Sequence, residues 1–275
     1  MGEAGGVCMK WSFSNIAWTA QQDEMMYRRL RDAGFTMLEI APTRIIPEEP
    51  YWRLAEIRAW SQDLETRFGL RISSMQSIWY GRKENLFADP EQREILLAYT
   101  KDAIRFAEAA RCPHLVFGCP KNRNLPERSD SSAADGFFRE LADYAEAHGA
   151  VIGIEANPAI YGTNFINTTA EALALVRRIG SKGLKLNLDI GTMIENGETA
   201  AYLKGAADQI SHVHISEPYL KPIRARKLHG EILSVLSEEG YQGCVSVEMG
   251  DPGDSGTRMD VMQYIGGLMR QYGAS

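Results

Sequence analysis

Cysteine, basic charge and long apolar runs are all scarce in this chain of 275 residues. Its four cysteines lie far apart and form no Cys-x-x-Cys pair, which argues against a disulfide framework. No uninterrupted apolar run reaches the ~18–20 residues that a membrane span needs. The N-terminus also lacks the basic start and apolar stretch of a signal peptide. These absences predict a reduced, cytoplasmic protein without a membrane segment.

Basic residues are outnumbered, with 30 Lys and Arg against 36 Asp and Glu, so the net charge is −6. Nucleic-acid binding requires clustered positive charge that neutralises phosphates, so no nucleic-acid partner is expected. The chain also lacks a Gly-x-Gly-x-x-Gly dinucleotide motif, a Walker loop, a Gly-x-Ser-x-Gly elbow and a His-Glu-x-x-His zinc motif. Nicotinamide-dependent, nucleotide-driven and serine-hydrolase mechanisms therefore lose support.

A short apolar run, a polar loop and an amphipathic helical segment alternate along the chain eight times. The apolar runs predict strands at residues 10–15, 35–41, 71–76, 114–119, 151–156, 184–190, 210–216 and 244–249. The segments between and after them predict helices at residues 21–33, 52–68, 91–110, 133–148, 170–179, 200–205, 227–239 and 259–272. Asp89 and Thr169 are residue types that begin helices, and we predict them as N-caps.

The alternation of strands and helices decides the fold class. Strands that are separated by helices must pair in parallel, and eight such units can close into a barrel. The sequence therefore predicts an α/β fold, a (β/α)8 TIM barrel with a closed, parallel, eight-stranded sheet. A doubly wound open sheet is the alternative. We interpret the Gly-rich residues 1–9 as a disordered tail and residues 10–275 as a single barrel domain.

The fifth to eighth predicted strands each end in a side chain that can bind a metal: Glu155, Asp189, His214 and Glu248. Parallel barrels have their active sites at the C-terminal ends of the strands, so these side chains are expected to converge. One acidic residue at a strand end is often only a solvated charge or a helix cap, but four successive strand ends favour a shared site. Because three crowded carboxylates repel each other, a compensating divalent ion is expected.

The donor set of three carboxylates and one imidazole, without a thiolate, suits a hard or borderline ion. We expect one Mn²⁺, with Mg²⁺, Co²⁺ or Zn²⁺ as alternatives. Two residues before each ligand, on the same face of the strand, the side chains are small or polar. Among these, Asn187 and His212 are predicted to support the ligands through hydrogen bonds, with His214 rather than His212 as the ligand.

This set of residues resembles that of the xylose isomerase-like TIM barrels, the sugar phosphate isomerase and epimerase family. Four further stretches are similar to one bacterial subgroup of that family: MQSIWYG, LVFGCPKNR, EANPAIYGTNF and GYQGCVSVEM. The resemblance spans residues 10–270. It implies that one divalent metal is bound by Glu155, Asp189, His214 and Glu248, and that Glu155 and Glu248 are also the catalytic acid/base pair.

The resemblance further implies an isomerase or epimerase that acts on a small ketose, a polyol-ketone or a derivative of these. One glutamate would remove a proton next to a carbonyl group held by the metal, giving an enediolate, and the other would return the proton. The expected partner is thus a small-molecule carbohydrate substrate. A homodimer or homotetramer would be in keeping with the family.

One position departs from the family in a way that bears on the reaction. Ketose epimerases of the family carry a His three residues after the strand-six Asp, where this chain has Thr192. The arginine that those enzymes have after the strand-seven motif has no clear match either. The departure raises the alternative of a metal-dependent lyase or dehydratase, for example elimination from a 3-keto sugar or glycoside at the same site.

Further residues are predicted to contact the substrate. Lys121 and Arg123 follow the fourth strand and could anchor a phosphate or carboxylate, or could be solvated loop cations. Asn157 could bind sugar hydroxyls or form a turn. His229 could be a general acid or base, or a residue at the surface. The polar pocket is expected to be completed by the residues that end the second and third strands, Glu39 and Gln76.

Two other functions would use the same barrel. An AP-endonuclease-like hydrolase would need further His and acidic ligands for several ions and a basic surface, whereas this chain has five His and a negative net charge. A barrel that binds sugar without turnover is the non-enzymatic alternative.

Overall fold

The computed structural model describes residues 9–127 and 131–273. Its strands are β1 Lys10–Ser14, β2 Met37–Ile40, β3 Arg71–Met75, β4 His114–Phe117, β5 Val151–Glu155, β6 Leu184–Asp189, β7 Ile210–Ser216 and β8 Cys244–Glu248. They pair in parallel and in chain order, and β1 closes the barrel against β8 with Ser12 opposite Ser246. The predicted (β/α)8 TIM barrel is confirmed, and its closure excludes the open, doubly wound sheet.

Helices surround the barrel. Within the described residues they are α1 Asp23–Asp32, α2 Pro42–Ile45, α3 Leu54–Phe68, α4 Pro90–Ala109, α5 Ser132–Ala147, α6 Thr169–Ile179, α7 Ile190–Asn196, α8 Lys227–Glu238 and α9 Ser255–Tyr272. Their apolar faces pack on the outside of the sheet, as at α5, which buries Phe137, Phe138 and Leu141. The ring of Phe138 lies 4.9 Å from that of Phe117 in β4. The main core therefore lies between the sheet and the ring of helices.

The helix that follows β6 differs from the sequence prediction. The predicted helix at 200–205 is a short 3-10 turn, Ala200–Leu203, and the α-helix begins earlier, at Ile190. Asp189 is the N-cap of α7, because its carboxylate accepts a hydrogen bond from the backbone N–H of Thr192. The apolar Ile190 had extended the predicted strand by one residue and concealed this helix start.

The two predicted N-caps have different outcomes. Asp89 is confirmed, since its side chain accepts from the backbone N–H of Gln92 at the start of α4. Thr169 is wrong by one residue: the N-cap of α6 is Thr168, which forms a capping box with Glu171. Thr168 is favoured over Thr169 as the N-cap because Glu171 lies three positions after Thr168, which is the spacing that the reciprocal hydrogen bonds of a capping box require.

The interior of the barrel is unusually polar. Ser12 on β1 and Ser73 on β3 are both buried, and their hydroxyl oxygens lie 2.8 Å apart. Since β2 separates these two strands in the sheet, their contact crosses the interior. His114 on β4 and His212 on β7 likewise stack across the barrel, with ring centroids 4.8 Å apart. A layer of buried polar side chains therefore lies beneath the strand ends.

The described residues include only the last residue of the predicted tail. Residues 1–8 of the predicted disordered tail at 1–9 lie outside the described residues, whereas Met9 is buried in the core. Among the helices of the described residues, none combines the length and the apolar character that crossing a membrane requires.

Candidate metal centre

The four residues predicted as metal ligands meet at one end of the barrel. Glu155, Asp189 and Glu248 are the last residues of β5, β6 and β8, and His214 lies two residues before the end of β7. Because neighbouring strands are parallel, their C-terminal ends open at the same rim. One donor atom from each side chain lies within 4.8 Å of all the others.

His214 is at the centre of this group. Its Nδ1 atom lies 3.2 Å from Glu155 Oε2, 3.2 Å from Glu248 Oε2 and 4.0 Å from Asp189 Oδ2. Burial by itself would lower the pKa of His214, but the negative charges of Glu248 and Glu39 outweigh it and hold that pKa well above its usual value. The imidazole therefore faces three carboxylates through one nitrogen atom.

Among the described residues, His214 is the only basic side chain that forms an ion pair with these carboxylates. Burial, and then the charge of Glu155, raise the pKa of Asp189 to about 6. Burial raises the pKa of Glu248 to about 7, although His214 acts in the opposite direction. A bound cation would offset the cost of holding these negative charges close together in a buried site. Three carboxylate oxygens and one imidazole nitrogen form a donor set typical of divalent ions. The residues present therefore fit a divalent metal.

Two amide side chains hold Glu155. Asn157 Nδ2 donates to Oε1 at 2.8 Å, and Asn187 Nδ2 donates to Oε2 at 2.7 Å. Directly after the neighbouring strand β4, Gly118 leaves room for the carboxylate, because a Cβ atom at that position would lie 2.9 Å from Oε1. The sequence had predicted Asn187 as a supporting residue, and its side chain lies in contact with Glu155.

Asp189 is held from two sides. Its Oδ1 atom accepts from the backbone N–H of Thr192 at 2.5 Å, and its Oδ2 atom accepts from the Ser216 hydroxyl at 2.5 Å. The Thr192 hydroxyl donates to the backbone oxygen of Ala156 at 2.8 Å. Thr192 therefore supports the loop around the site and does not present its hydroxyl proton to the cavity.

Glu39 and His212 lie beneath His214 and not beside the cavity. Glu39 Oε2 is 2.8 Å from His214 Nε2 and 3.2 Å from His212 Nε2. Burial alone would raise the pKa of Glu39, but the two histidines hold it well below its usual value. Glu39, His212 and His214 form a second group of possible metal donors that shares His214 with the first group.

The site opens into a cavity of about 220 Å³. Three of the four expected ligands, Glu155, Asp189 and Glu248, lie in its wall. Other lining residues include Gln76, Cys119, Asn157, Tyr161, Glu217 and Leu220. The cavity thus combines a strongly acidic floor with amide, phenol and apolar groups around it.

The predicted substrate residues do not all reach this cavity. Gln76 and Asn157 line it. Lys121 is exposed on the 3-10 turn Pro120–Asn122 and is not part of the lining. Arg123 is fully buried and donates to Asn157 Oδ1 at 2.6 Å and to the Glu155 backbone oxygen at 2.9 Å. His229 is buried in α8, where its Nδ1 atom lies 2.9 Å from the Tyr264 hydroxyl.

The sequence prediction missed several lining residues, among them Glu217 and Tyr161. Glu217 follows β7 and forms a two-point ion pair with Arg226, at 2.7 Å from Nε and 2.5 Å from Nη2. The Tyr161 hydroxyl accepts from the backbone N–H of Tyr219 at 2.8 Å, which joins the loops after β5 and β7 above the cavity. The position of Glu217, just after the strand that bears His214, was the available signal for its presence here.

The family follows from the comparison of this sequence with known proteins. The sequence model of the xylose isomerase-like TIM barrel family matches residues 27–265, and the chain belongs to that family. A D-psicose 3-epimerase from Enterocloster bolteae is 32% identical over 258 residues, covering 87% of this chain and 82% of the relative.

Solved structures show the same fold at lower identity. A D-psicose 3-epimerase from Clostridium cellulolyticum H10, crystallised with D-tagatose, matches with a TM-score of 0.76 and 18% identity, covering 97% of this chain and 100% of that one. A 3-keto-D-glucoside 4-epimerase from E. coli matches with a TM-score of 0.71 and 18% identity, covering 96% of this chain and 99% of that one. These two matches support the barrel architecture.

Proposed function

We propose that this protein is a divalent-metal-dependent epimerase or isomerase of a small neutral sugar, in which Glu155 and Glu248 form the acid/base pair. The observation that carries the proposal is the meeting of these two carboxylates at His214 Nδ1, each at 3.2 Å, in the wall of one cavity. The similarity to a curated ketose 3-epimerase over most of the chain supports the same reaction class.

Glu155, Asp189, His214 and Glu248 would hold the metal, with Mn²⁺ as the first choice and Mg²⁺, Co²⁺ or Zn²⁺ as alternatives. When bound, such an ion supplies positive charge next to the oxygens of the sugar and makes the adjacent carbon-bound proton more acidic. Asn157, Asn187 and Ser216 keep the ligand carboxylates in place through the hydrogen bonds described above.

The two glutamates have different surroundings, which suits opposite roles in proton transfer. Glu155 accepts two amide hydrogen bonds that fix the orientation of its carboxylate, so it is proposed as the group that accepts the carbon-bound proton. Glu248, whose Oε2 atom also lies 3.2 Å from His214 Nδ1, is proposed to return the proton. Return to the opposite face of the same carbon is epimerisation, and return to the neighbouring carbon is isomerisation.

The charges around the cavity favour a neutral substrate. Besides the three carboxylates of the ligand group, its wall includes Glu217, whose charge Arg226 compensates, and within the described part of the chain no Lys or Arg lines it. Lys121 is exposed away from the cavity wall, and Arg123 is engaged with Asn157 and the backbone. A phosphate or carboxylate on the substrate would be repelled at short range. The sugar is therefore proposed to be an uncharged ketose or a close derivative.

A lyase or dehydratase at the same site is the second candidate, and Thr192 is the observation that favours it. Because the Thr192 hydroxyl donates to the Ala156 backbone oxygen, it does not replace the family histidine as a proton donor. Elimination begins with the same proton abstraction but releases a leaving group instead of returning the proton. Product analysis separates the two reactions.

The test is to incubate the metal-loaded protein with uncharged ketoses and 3-keto glycosides in D₂O and to follow the products by NMR. We expect deuterium to enter the carbon next to the carbonyl group, with formation of an epimer or isomer. Glu155→Gln and Glu248→Gln should each lower turnover by about 10²- to 10⁴-fold. An unsaturated product would instead support the lyase, and absence of both exchange and product across these substrates would contradict the proposal.

A further inference from the structure

In the described part of the chain, Glu39 is the one acidic residue that contacts the far side of the imidazole of His214, its Nε2 atom. It lies on β2 and is 0% exposed, and its Oε2 atom is 2.8 Å from Nε2 of His214 on β7. Since β1 and β8 separate these two strands in the barrel, the contact crosses the interior. The opposite nitrogen of the same imidazole, Nδ1, faces Glu155 and Glu248. His214 is thus held between two acidic environments.

The carboxylate of Glu39 is itself fixed in place. The Ser74 hydroxyl donates to Oε2 at 2.7 Å, and His212 Nε2 lies 3.2 Å from the same oxygen. No Lys or Arg of the described residues forms an ion pair with Glu39. Donors from β3 and β7 therefore hold one oxygen atom of Glu39 directly beneath His214.

An imidazole that binds a metal must offer a lone pair, and a neutral imidazole has only one nitrogen that can do so. For His214 to bind through Nδ1, its remaining proton must lie on Nε2. Glu39 Oε2 is placed to accept the hydrogen bond from that proton, as carboxylates commonly do beneath metal-bound histidines. We propose that Glu39 is a positioning residue that fixes the tautomer and the ring orientation of His214 for metal binding.

Two other roles for Glu39 fit the contacts less well. It does not line the cavity, and His214 lies between it and the ligand carboxylates, so it does not touch the sugar. A second ion held by Glu39, His212 and His214 in addition to the first would require both nitrogens of His214 as ligands, which a neutral imidazole cannot provide. Hydrogen bonding accounts for the contacts of Glu39 Oε2 without a second ion.

This inference rests on the proposed metal-dependent function, and its test measures metal binding directly. Mn²⁺ affinity is measured by isothermal titration calorimetry on the full-length wild type, Glu39→Gln and Glu39→Ala, and the absorption spectrum of the Co²⁺-loaded protein reports ligand geometry. Ser12→Ala is the matched control, since Ser12 is buried in the same interior but hydrogen-bonds to Ser73 and not to Glu39 or His214.

We expect Glu39→Ala to weaken Mn²⁺ binding about 100-fold and Glu39→Gln, which keeps an oxygen acceptor, about 10-fold. Both should alter the Co²⁺ spectrum, whereas Ser12→Ala should match the wild type. If Glu39→Ala does not fold, the Glu39→Gln result decides. A folded Glu39 variant with the Mn²⁺ affinity and the Co²⁺ spectrum of the wild type would overturn the positioning role but not the proposed function. A wild type that binds no divalent ion would overturn the proposed function and this role together.

Discussion

Asn157 joins Arg123 to Glu155: its Nδ2 atom donates to Glu155 Oε1 at 2.8 Å, and its Oδ1 atom accepts from Arg123 at 2.6 Å. These two contacts fix the orientation of the amide, because only its nitrogen can donate to the carboxylate. Arg123 therefore acts on the proposed base through Asn157 and through the Glu155 backbone oxygen, and not through the substrate.

Replacing the buried guanidinium should cost both stability and turnover. Arg123→Met leaves the Asn157 Oδ1 atom without its donor in a buried environment, so we expect a loss of about 2 kcal/mol in the free energy of unfolding. Turnover should fall by about 10-fold or more because Glu155 is then less well oriented. Urea denaturation and steady-state kinetics measure the two effects.

The nearby Lys121 provides the matched control for that variant. Because Lys121 is exposed and outside the cavity wall, Lys121→Met should change the free energy of unfolding by less than about 0.5 kcal/mol. The KM for a neutral sugar should also stay the same. A large rise in KM in Lys121→Met would restore the earlier interpretation of this lysine as a substrate anchor.

Gly118 should be intolerant of even a methyl group. In Gly118→Ala the new Cβ atom would lie 2.9 Å from Glu155 Oε1, so the carboxylate must move. We expect turnover to fall by about 10- to 100-fold while the protein stays folded. Gly136→Ala on the exposed face of α5, where no atom lies within 4 Å of the added carbon, should keep full turnover. Equal activity of both variants would contradict the close approach at Gly118.

His229 should make stability depend on pH in mildly acidic solution. Burial lowers its pKa to about 4 in the folded protein, against about 6.5 in the unfolded chain. Between these two values the unfolded state binds more protons, so stability falls as the pH drops from about 6.5 to 4. The full contribution approaches about 3 kcal/mol.

His229→Gln removes this titration but keeps a polar group next to Tyr264. Urea unfolding of the wild type and the variant at pH 7, 6, 5 and 4.5 measures the difference. The stability of the wild type should fall more steeply with decreasing pH than that of His229→Gln. Parallel curves would show that this histidine takes up its proton equally in both states.

The sequence was enough to predict the barrel and the convergence of four donors, because both depend on local periodicity. Each ligand lies at or near the end of an apolar strand, and parallel pairing brings the strand ends to one rim. The end of β6 was harder to predict. Ile190 is apolar like the residues of the strand before it, yet it is the first residue of α7, and Asp189 is the N-cap of that helix.

The roles of Glu39 and Arg123 depend on contacts that no local pattern contains. Glu39 sits near the end of its strand, like the ligands, but its side chain crosses the barrel to His214. Arg123 follows the 3-10 turn that bears the exposed Lys121, yet the side chain of Arg123 is buried. Cys119, at the start of this segment, has a left-handed backbone conformation with φ +48°. Both residues are charged, and the sequence alone gave no way to tell buried support from contact with a substrate.

The most direct test of the metal-dependent account is the metal content of the purified protein, measured by elemental mass spectrometry before and after reconstitution. The wild type should hold about one divalent ion per chain, and the double variant Asp189→Asn with His214→Ala should hold none. Chelation should abolish turnover, and the preferred ion should restore it. A wild type that takes up no ion after reconstitution, or a double variant that keeps its ion, would contradict the account.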